Sequence, residues 1–550
     1  MKISYASSIR QLKNKLFTDE IYKMIKKILI RSLTGVLLLC WIAIKTEGQA
    51  LTAFANYVSL SGETLQKSKV LQFNSVVLHF MRSKANTPKG TILLLSGGAY
   101  EMLKVKNEGE SSASFLNSVG FDVAILEYHN DKNSQSRDLA LIDALKAFRL
   151  LKTNPKEFGL LGKRFGIIGF ASGGHLAARV VQKLNEKEQP EDLILINPFW
   201  LNETNPGNVF PAILPPAHPT ARLFASFSAK EDSSWIKSCQ EYTKTWKGYD
   251  GHAVFYLLTD STQTSDNGLN PLDSKSKLAV LLKTFLEAKP EMPSVGPNPA
   301  AVPVEGYARK RHEEKLALIA KEKFGLIFIG NSITHNFEKP EYQSVWNQFF
   351  APRKALNLGT SGYRTENLIW NIQNGELDGQ SPKVVILEIG TNNVDEKNYP
   401  TRHTAGQLAG GIETIVKLIR EKLPDTKIIV LRCFPGCYGG PNPTSHRLIL
   451  ERASDIVSKL ADGKHIFYSD VNHVFLNMDG SLNQAMMGDW LHPTPAGAKA
   501  WAQAMEPLLS ELMGDQSLDI DTPANSANFI KIEKDETGRL HPFTKTNQTN

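Results

Sequence analysis

The residues of this chain best suited to chemistry lie in its second half. Ser332, in Gly330-Asn331-Ser332-Ile333-Thr334, follows directly on an apolar run, GLIFIG (325–330), that reads as a strand. A serine hydroxyl becomes a nucleophile when a neighbouring base takes its proton and nearby donors hold the oxyanion that forms. The candidate base is His492, in Asp489-Trp490-Leu491-His492-Pro493, just ahead of a last amphipathic stretch, PAGAKAWAQAMEPLLSEL. Asp489 stands three residues before it, so one loop can set the carboxylate against Nδ1 and leave Nε2 facing the serine. Two further strand ends offer oxyanion donors beside the Ser332 backbone N–H. Asn357-Leu358-Gly359-Thr360-Ser361-Gly362 supplies the Gly362 N–H, and Ile389-Gly390-Thr391-Asn392-Asn393 supplies the Asn392 side-chain amide. Alone, each piece reads as a turn, a cap or a loop pair. In order, each at a strand end or before the final helix, they read as a site for acyl transfer.

Such residues need elements to hold them. Short β-type runs alternate with helical patterns twice along the chain, the signature of parallel sheets covered by helices. TILLLSG (91–97), DVAILEY (122–128), FGIIGF (165–170), DLILINP (192–198), RLFASFSA (222–229) and HAVFYLL (252–258) read as strands of a first sheet. GLIFIG (325–330), KALNLG (354–359), KVVILEIG (383–390), KIIVLRC (427–433) and HIFYSD (465–470) read as those of a second. Continuous apolar runs suit strands buried on both faces, and in open sheets of this kind chemistry gathers at the carboxyl ends. The predicted fold class is α/β: two three-layer α/β/α domains in tandem, at 51–289 and 305–513. Five prolines mark a linker at 290–304, expected to be extended. Residues 514–550 turn polar and read as a mobile tail.

The second-half blocks resemble those of SGNH or GDSL hydrolases. Their G-T-N-N and D-W-L-H-P blocks are similar to the catalytic subunits of platelet-activating-factor acetylhydrolase and their bacterial relatives. The likeness covers about 305–513. It implies a flavodoxin-like fold, no metal and no cofactor. It also implies an acyl-enzyme mechanism in which Ser332 attacks, His492 is the base and Asp489 orients it. Ser332, Gly362 and Asn392 would form the oxyanion hole. One departure is Asn331, where the family usually has aspartate.

In the first half, Gly169-Phe170-Ala171-Ser172-Gly173-Gly174-His175 resembles the nucleophile elbow, G-x-S-x-G, of α/β-hydrolases. Ser96-Gly97-Gly98-Ala99-Tyr100 resembles the glycine-rich oxyanion loop of their esterase branch. The central elbow position is Ala171, however, and Ser172 lies one place late. Asp232 matches the acid position, but TDSTQTSDNG, where the histidine belongs, holds none. The expectation is an inactive hydrolase fold with one of two roles. Its idle donors near Gly97 and Gly98 stay open to a sugar hydroxyl or carbonyl, or the domain only braces its neighbour.

Composition narrows the remaining classes. With 550 residues, 41% hydrophobic and 22% charged, the chain has room for two or three ordinary cores. Its formal charge of +7 concentrates in residues 1–50, which hold nine Lys and Arg against three acids, and the remainder is nearly neutral. No basic face for nucleic acid follows from it. Lys26, Lys27 and Arg31 instead precede an apolar run, Leu33 to Ile44, and then Gly48-Gln49-Ala50, the pattern of a secretory signal. A retained signal-anchor is the alternative, and with it membrane attachment; Met24 is better spaced than Met1 as a start. Cys40 lies within that run, and Cys433 and Cys437 read equally as a local disulfide or two inert thiols. The expected function is an exported serine esterase that removes a small acyl group, acetyl above all, from an extracellular carbohydrate. A lysophospholipase or short-chain lipid esterase is one alternative, and a non-catalytic carbohydrate-binding protein is another. The oligomeric state stays open.

Overall fold

Each run read above as a strand folds into one, with ends shifted by one or two residues. The computed structural model describes residues 69–73, 76–131, 135–201, 213–259, 272–288, 296–436, 440–519, 532–534 and 540–542. Both sheets belong to one compact unit. The segment read as a secretory signal lies outside the described residues. Among those described, no helix is long and apolar enough to cross a membrane.

The first sheet holds β1 (Lys69–Phe73), β2 (Val76–Met81), β3 (Gly90–Leu95), β4 (Phe121–Glu127), β5 (Arg164–Phe170), β6 (Asp192–Ile196), β7 (Arg222–Ser228) and β8 (Ala253–Leu258). Their order is β1-β2-β4-β3-β5-β6-β7-β8. Pairing is antiparallel from β1 to β4 and parallel beyond. The sequence reading missed β1 and β2. From Val77 to Met81 buried and half-buried positions alternate, the pattern of a strand with one wet face, not a continuous apolar run. Among the described residues five α-helices accompany this sheet: α1 (Ser111–Val119), α2 (Ser136–Thr153), α3 (Ser172–Gln182), α4 (Ser233–Gly248) and α5 (Lys277–Glu287).

The second sheet is wholly parallel. β9 (Leu326–Gly330), β10 (Ala355–Asn357), β11 (Val384–Glu388), β12 (Lys427–Leu431) and β13 (Ile466–Ser469) take the order β10-β9-β11-β12-β13, the flavodoxin-like arrangement. Its helices are α6 (Arg309–Lys321), α7 (Ser332–His335), α8 (Gln343–Phe349), α9 (Thr365–Asn371), α10 (Ala405–Lys422), α11 (Ser445–Val457) and α12 (Pro495–Met513). The two-residue strand period divides the core. Ile327, Ile329, Val385, Leu387, Ile428 and Val430 pack with Leu408, Ile412, Ile415 and Ile449 of α10 and α11. Leu326, Phe328, Val384, Ile386 and Ile429 pack with Phe349, Trp501 and Met505 of α8 and α12 on the other face.

Two expectations about the flanking segments need correction. Residues 296–304 are not a free extended spacer: Pro299–Ala301 form a 3-10 turn capped by Asn298, and Ala300 is buried. Thr365 Oγ1 donates to Ala300 O at 2.7 Å and Val304 N to Glu366 O at 3.0 Å, so backbone groups of this stretch are satisfied against α9. The tail also begins attached, because Asp515 pairs with Arg353 and Leu518 N donates to Glu506 Oε1 at 2.7 Å. Ile532–Lys534 pairs antiparallel with Leu540–Pro542, and the rest of the tail lies outside the described residues.

Arg353 is the charged centre of that attachment, buried with forked bonds of 2.7 and 2.8 Å to Glu506. Arg353→Ala leaves the buried Glu506 carboxylate without its counter-charge. A loss of about 3–5 kcal/mol is expected, read as a lower urea midpoint at constant slope; an unchanged midpoint contradicts it.

Candidate active site

Ser332 stands where β9 turns abruptly into α7. A Cβ on Gly330 would lie 2.2 Å from Thr334 Oγ1 and 2.5 Å from Glu388 O, so only glycine permits the turn. Asn331 caps the short helix through Oδ1, which accepts Ile333 N at 2.8 Å. The amide thus keeps the acceptor that an aspartate would offer, while its buried Nδ2 has no partner. Ser332 Oγ lies 2.9 Å from His492 Nε2. On the other side of the ring, Nδ1 lies 2.7 Å from Asp489 Oδ2, and His492 N donates to Asp489 Oδ1 at 2.7 Å. A carboxylate can only accept, so Nδ1 carries the proton and Nε2 is free to accept from the serine. Trp490, at φ +64, makes the turn between acid and base. Burial alone would raise the Asp489 pKa, but hydrogen bonds from the His492 backbone and ring and from Leu491 N outweigh it and hold the carboxyl below its usual value.

Ser332, Gly362, Asn392 and His492 line one cavity of about 660 Å³. The Asn392 Nδ2 group donates one hydrogen to Tyr363 O at 2.9 Å, which aims the amide and leaves its second hydrogen. Gly362, at φ +72, is gripped by two phenols that the sequence reading did not single out. Tyr307 donates to Ser361 O at 2.6 Å, the carbonyl of the same peptide group that ends in the Gly362 N–H. Tyr399 donates to Gly362 O. The cavity wall adds Asn336, Lys339 and Tyr342 from the 335–350 segment and Asp395 and Asn398 from the loop after Asn392. None of the described residues of 434–446 lines it. Cys433 is a buried free thiol that donates to Ile389 O; Cys437, its suggested partner, lies outside the described residues.

The first sheet keeps the elbow without its nucleophile. Ala171 sits at the apex with φ +47 and ψ −115, between β5 and α3. Cβ atoms on Gly169 and Gly173 would lie 2.2 Å from Gly173 O and Leu95 O, so the turn is as tight as glycine allows. Ser172 is fully buried, and its Oγ accepts Ala99 N at 2.9 Å. The expectation of an idle oxyanion donor fails at Gly97. Gly97 N donates to Glu108 Oε2 at 2.6 Å, so a carboxylate of the chain itself occupies that donor. Burial raises the Glu108 pKa, against the opposing pull of the Gly97 hydrogen bond and Lys104. Nor does His175 serve the apex. Its Nδ1 is 2.7 Å from Tyr100 OH, and burial, with Arg179 and Arg137 nearby, pushes its pKa down to about 3. Asp232 is exposed and caps α4 by accepting Ser234 N at 2.7 Å. The 259–268 loop lies almost wholly outside the described residues.

Known proteins place both halves. Residues 328–500 match the GDSL-like Lipase/Acylhydrolase family, and residues 79–199 match the family described as BD-FAE. Platelet-activating factor acetylhydrolase IB subunit alpha1 of Pongo abelii is 31% identical over 224 residues, covering 39% of this chain and 91% of that protein. The chain belongs to the GDSL-like lipase/acylhydrolase family. The alpha1 subunit of Mus musculus is 30% identical over 245 residues, 43% of this chain and 100% of that protein. A solved alpha/beta hydrolase from a Medee basin deep-sea metagenome library aligns at 21% identity with a TM-score of 0.32, over 40% of this chain and 96% of that one. The protein is accordingly a carboxylic ester hydrolase with a small ester as substrate.

Beneath the acylhydrolase site lies a carboxyl group that the sequence reading passed over. Glu388 ends β11 opposite Gly330, fully buried, and neither of its oxygens has a hydrogen-bond partner. Burial pushes its pKa from 4.5 up to about 8. The native state therefore binds this proton more tightly than the unfolded chain does. Stability is fullest below the unfolded value and falls as pH climbs toward the folded one, by on the order of 3 kcal/mol between pH 5 and 8. Glu388→Gln, neutral at every pH, is expected to melt above wild type at pH 8 and level with it at pH 5. Parallel melting curves across that range would falsify this account.

Proposed function

We propose that this acylhydrolase is an exported serine esterase that removes a small acyl group, acetyl above all, from a carbohydrate. Ser332 is the nucleophile, His492 the base, and Asp489 the group that orients it. The Ser332 and Gly362 N–H groups and the Asn392 amide hold the oxyanion. One observation carries the reading: the aligned Asp489–His492–Ser332 hydrogen bonds open into a cavity with hydrogen-bonding walls. His492 takes the serine proton as Oγ attacks the ester carbonyl, then returns it to the leaving alcohol; water repeats the cycle on the acyl-enzyme. Asn336, Lys339, Ser361 and Asn398 suit a hydroxyl-rich alcohol better than an alkyl chain. Export is supported by the N-terminal sequence pattern alone. The first sheet is proposed to be catalytically silent, supported by Ala171 at the apex and Glu108 on the Gly97 donor.

Ser332→Ala is expected to lower p-nitrophenyl acetate hydrolysis by the full chain at least about 10³-fold with normal far-UV circular dichroism. Asp489→Asn is expected to retain more activity than His492→Ala, since an exposed orienting group can be partly replaced by solvent. Ser172→Ala and Glu108→Gln should leave turnover at the wild-type level. Loss of activity in either would show that the first sheet takes part in the reaction.

Substrate choice is tested by acid release from acetylated oligosaccharides, butyrylated and octanoylated analogues, and lysophospholipids. The acetylated sugars are expected to turn over fastest. A preference for lysophospholipid would favour the lipid-esterase reading instead.

A further inference from the structure

A loop that carries an oxyanion donor stays in register only if both its ends are fixed. Residues 391–404 leave the carboxyl end of β11, pass Asn392 and Tyr399 along the cavity wall, and enter α10 at its N-cap, Thr404. What grips the start of α10 comes from the first sheet. Asp250, two residues past the end of α4, accepts Thr404 Oγ1 through Oδ1 and Gly406 N through Oδ2, the latter at 2.9 Å. A carboxylate there meets unpaired N–H groups and the positive end of the helix dipole. Asp250 reaches the position from a left-handed backbone, φ +67. A Cβ on Gly406 would lie 2.7 Å from Asp250 Oδ2, so a side chain there would push the carboxylate aside.

The arrangement recurs one helix away. Glu241 of α4 accepts Ser445 N at 3.3 Å, at the start of α11. The next residue, His446, is buried, with Nε2 3.0 Å from Thr391 O and Nδ1 3.2 Å from Gly436 O. That ties α11 to the residue before Asn392. Between the two acids, Lys244 reaches Glu396 in the loop itself at 2.6 Å. This exposed pair is worth little alone, but the packing beneath it is close. A Cβ on Gly248 would lie 2.1 Å from Ile449 Cδ1, and Tyr249 joins the core of the second sheet.

We propose that Asp250 and Glu241 are positioning residues for the ester-hydrolysing site, through which the catalytically silent first sheet holds the 391–404 loop and hence the Asn392 amide. The proposal rests on the serine-esterase reading above. It gives the first half a role that its lost nucleophile does not touch.

The test uses the full chain and p-nitrophenyl acetate. Two disruptions are made: Asp250→Ala with Glu241→Ala, and separately Gly406→Ala, which crowds Asp250 while improving helix propensity. Each is measured alone and in an Asn392→Ala background, with thermal melts to establish folding. In the native background kcat is expected to fall about tenfold with KM within about twofold, the pattern of a lost transition-state contact. With Asn392 already removed, neither disruption should lower kcat further, because groups acting through one another are non-additive. Folded variants with wild-type kcat, or an equal loss in both backgrounds, would overturn the positioning role. Turnover surviving in Ser332→Ala would instead overturn the reading on which it rests.

Discussion

His492 can accept the Ser332 proton only while its Nδ1 keeps its own, and Asp489 is what keeps it there. The carboxylate takes the ring hydrogen and the backbone hydrogen of the same residue, each at 2.7 Å, fixing the tautomer and the turn that presents the ring. The second sheet is arranged around that condition. β9 ends in a glycine turn that leaves the serine at the sheet's carboxyl edge. α12 begins three residues past His492 with Thr494 as its cap, and buried Trp501 and Met505 anchor it to the sheet. The hydrogen-bonded line from acid to hydroxyl thus joins elements 160 residues apart in the chain.

The two halves show comparable strand-end chemistry under different fates. In the first, Ala171 still holds a backbone conformation that costs on the order of 1–3 kcal/mol, because the glycines on either side over-determine it. A methyl group gains nothing catalytic from that position. The neighbouring donors have been taken by Glu108 and Ser172, which satisfies groups that would otherwise be buried and unpaired. In the second, the donors stay directed at the cavity because other groups occupy only their far sides. Tyr363 O takes one hydrogen of the Asn392 amide, and Tyr307 takes the carbonyl end of the Gly362 peptide.

Much of this was legible in advance, for identifiable reasons. The parallel strands of both sheets were readable because burial on two faces demands uninterrupted apolar runs, and β2 was not, because its alternating pattern is weaker. The Asp489–His492 contact follows from a three-residue spacing. The Ser332–His492 pairing was read from the order of four blocks at strand ends and from their resemblance to a family, since no spacing rule reaches across 160 residues. The proline-rich segment misled because composition reports stiffness and says nothing of Ala300 being buried under α9. Glu388 was invisible because a glutamate within a strand reads as a solvated edge until the sheet closes over it.

By itself the sequence determined what depends on a few neighbouring residues: strand runs, the D-x-x-H turn, helix caps, and the alanine in place of a serine at the first elbow. Those features are local, set by backbone sterics and short spacings. Tertiary structure decided which distant groups meet: the two tyrosines on Gly362, Glu108 on the Gly97 donor, and Asp250 and Glu241 at the starts of α10 and α11. These contacts join residues from 11 to 204 positions apart. Their existence depends on how helices and loops pack once the sheets have formed, where a polar group takes whichever partner the closed structure leaves within reach.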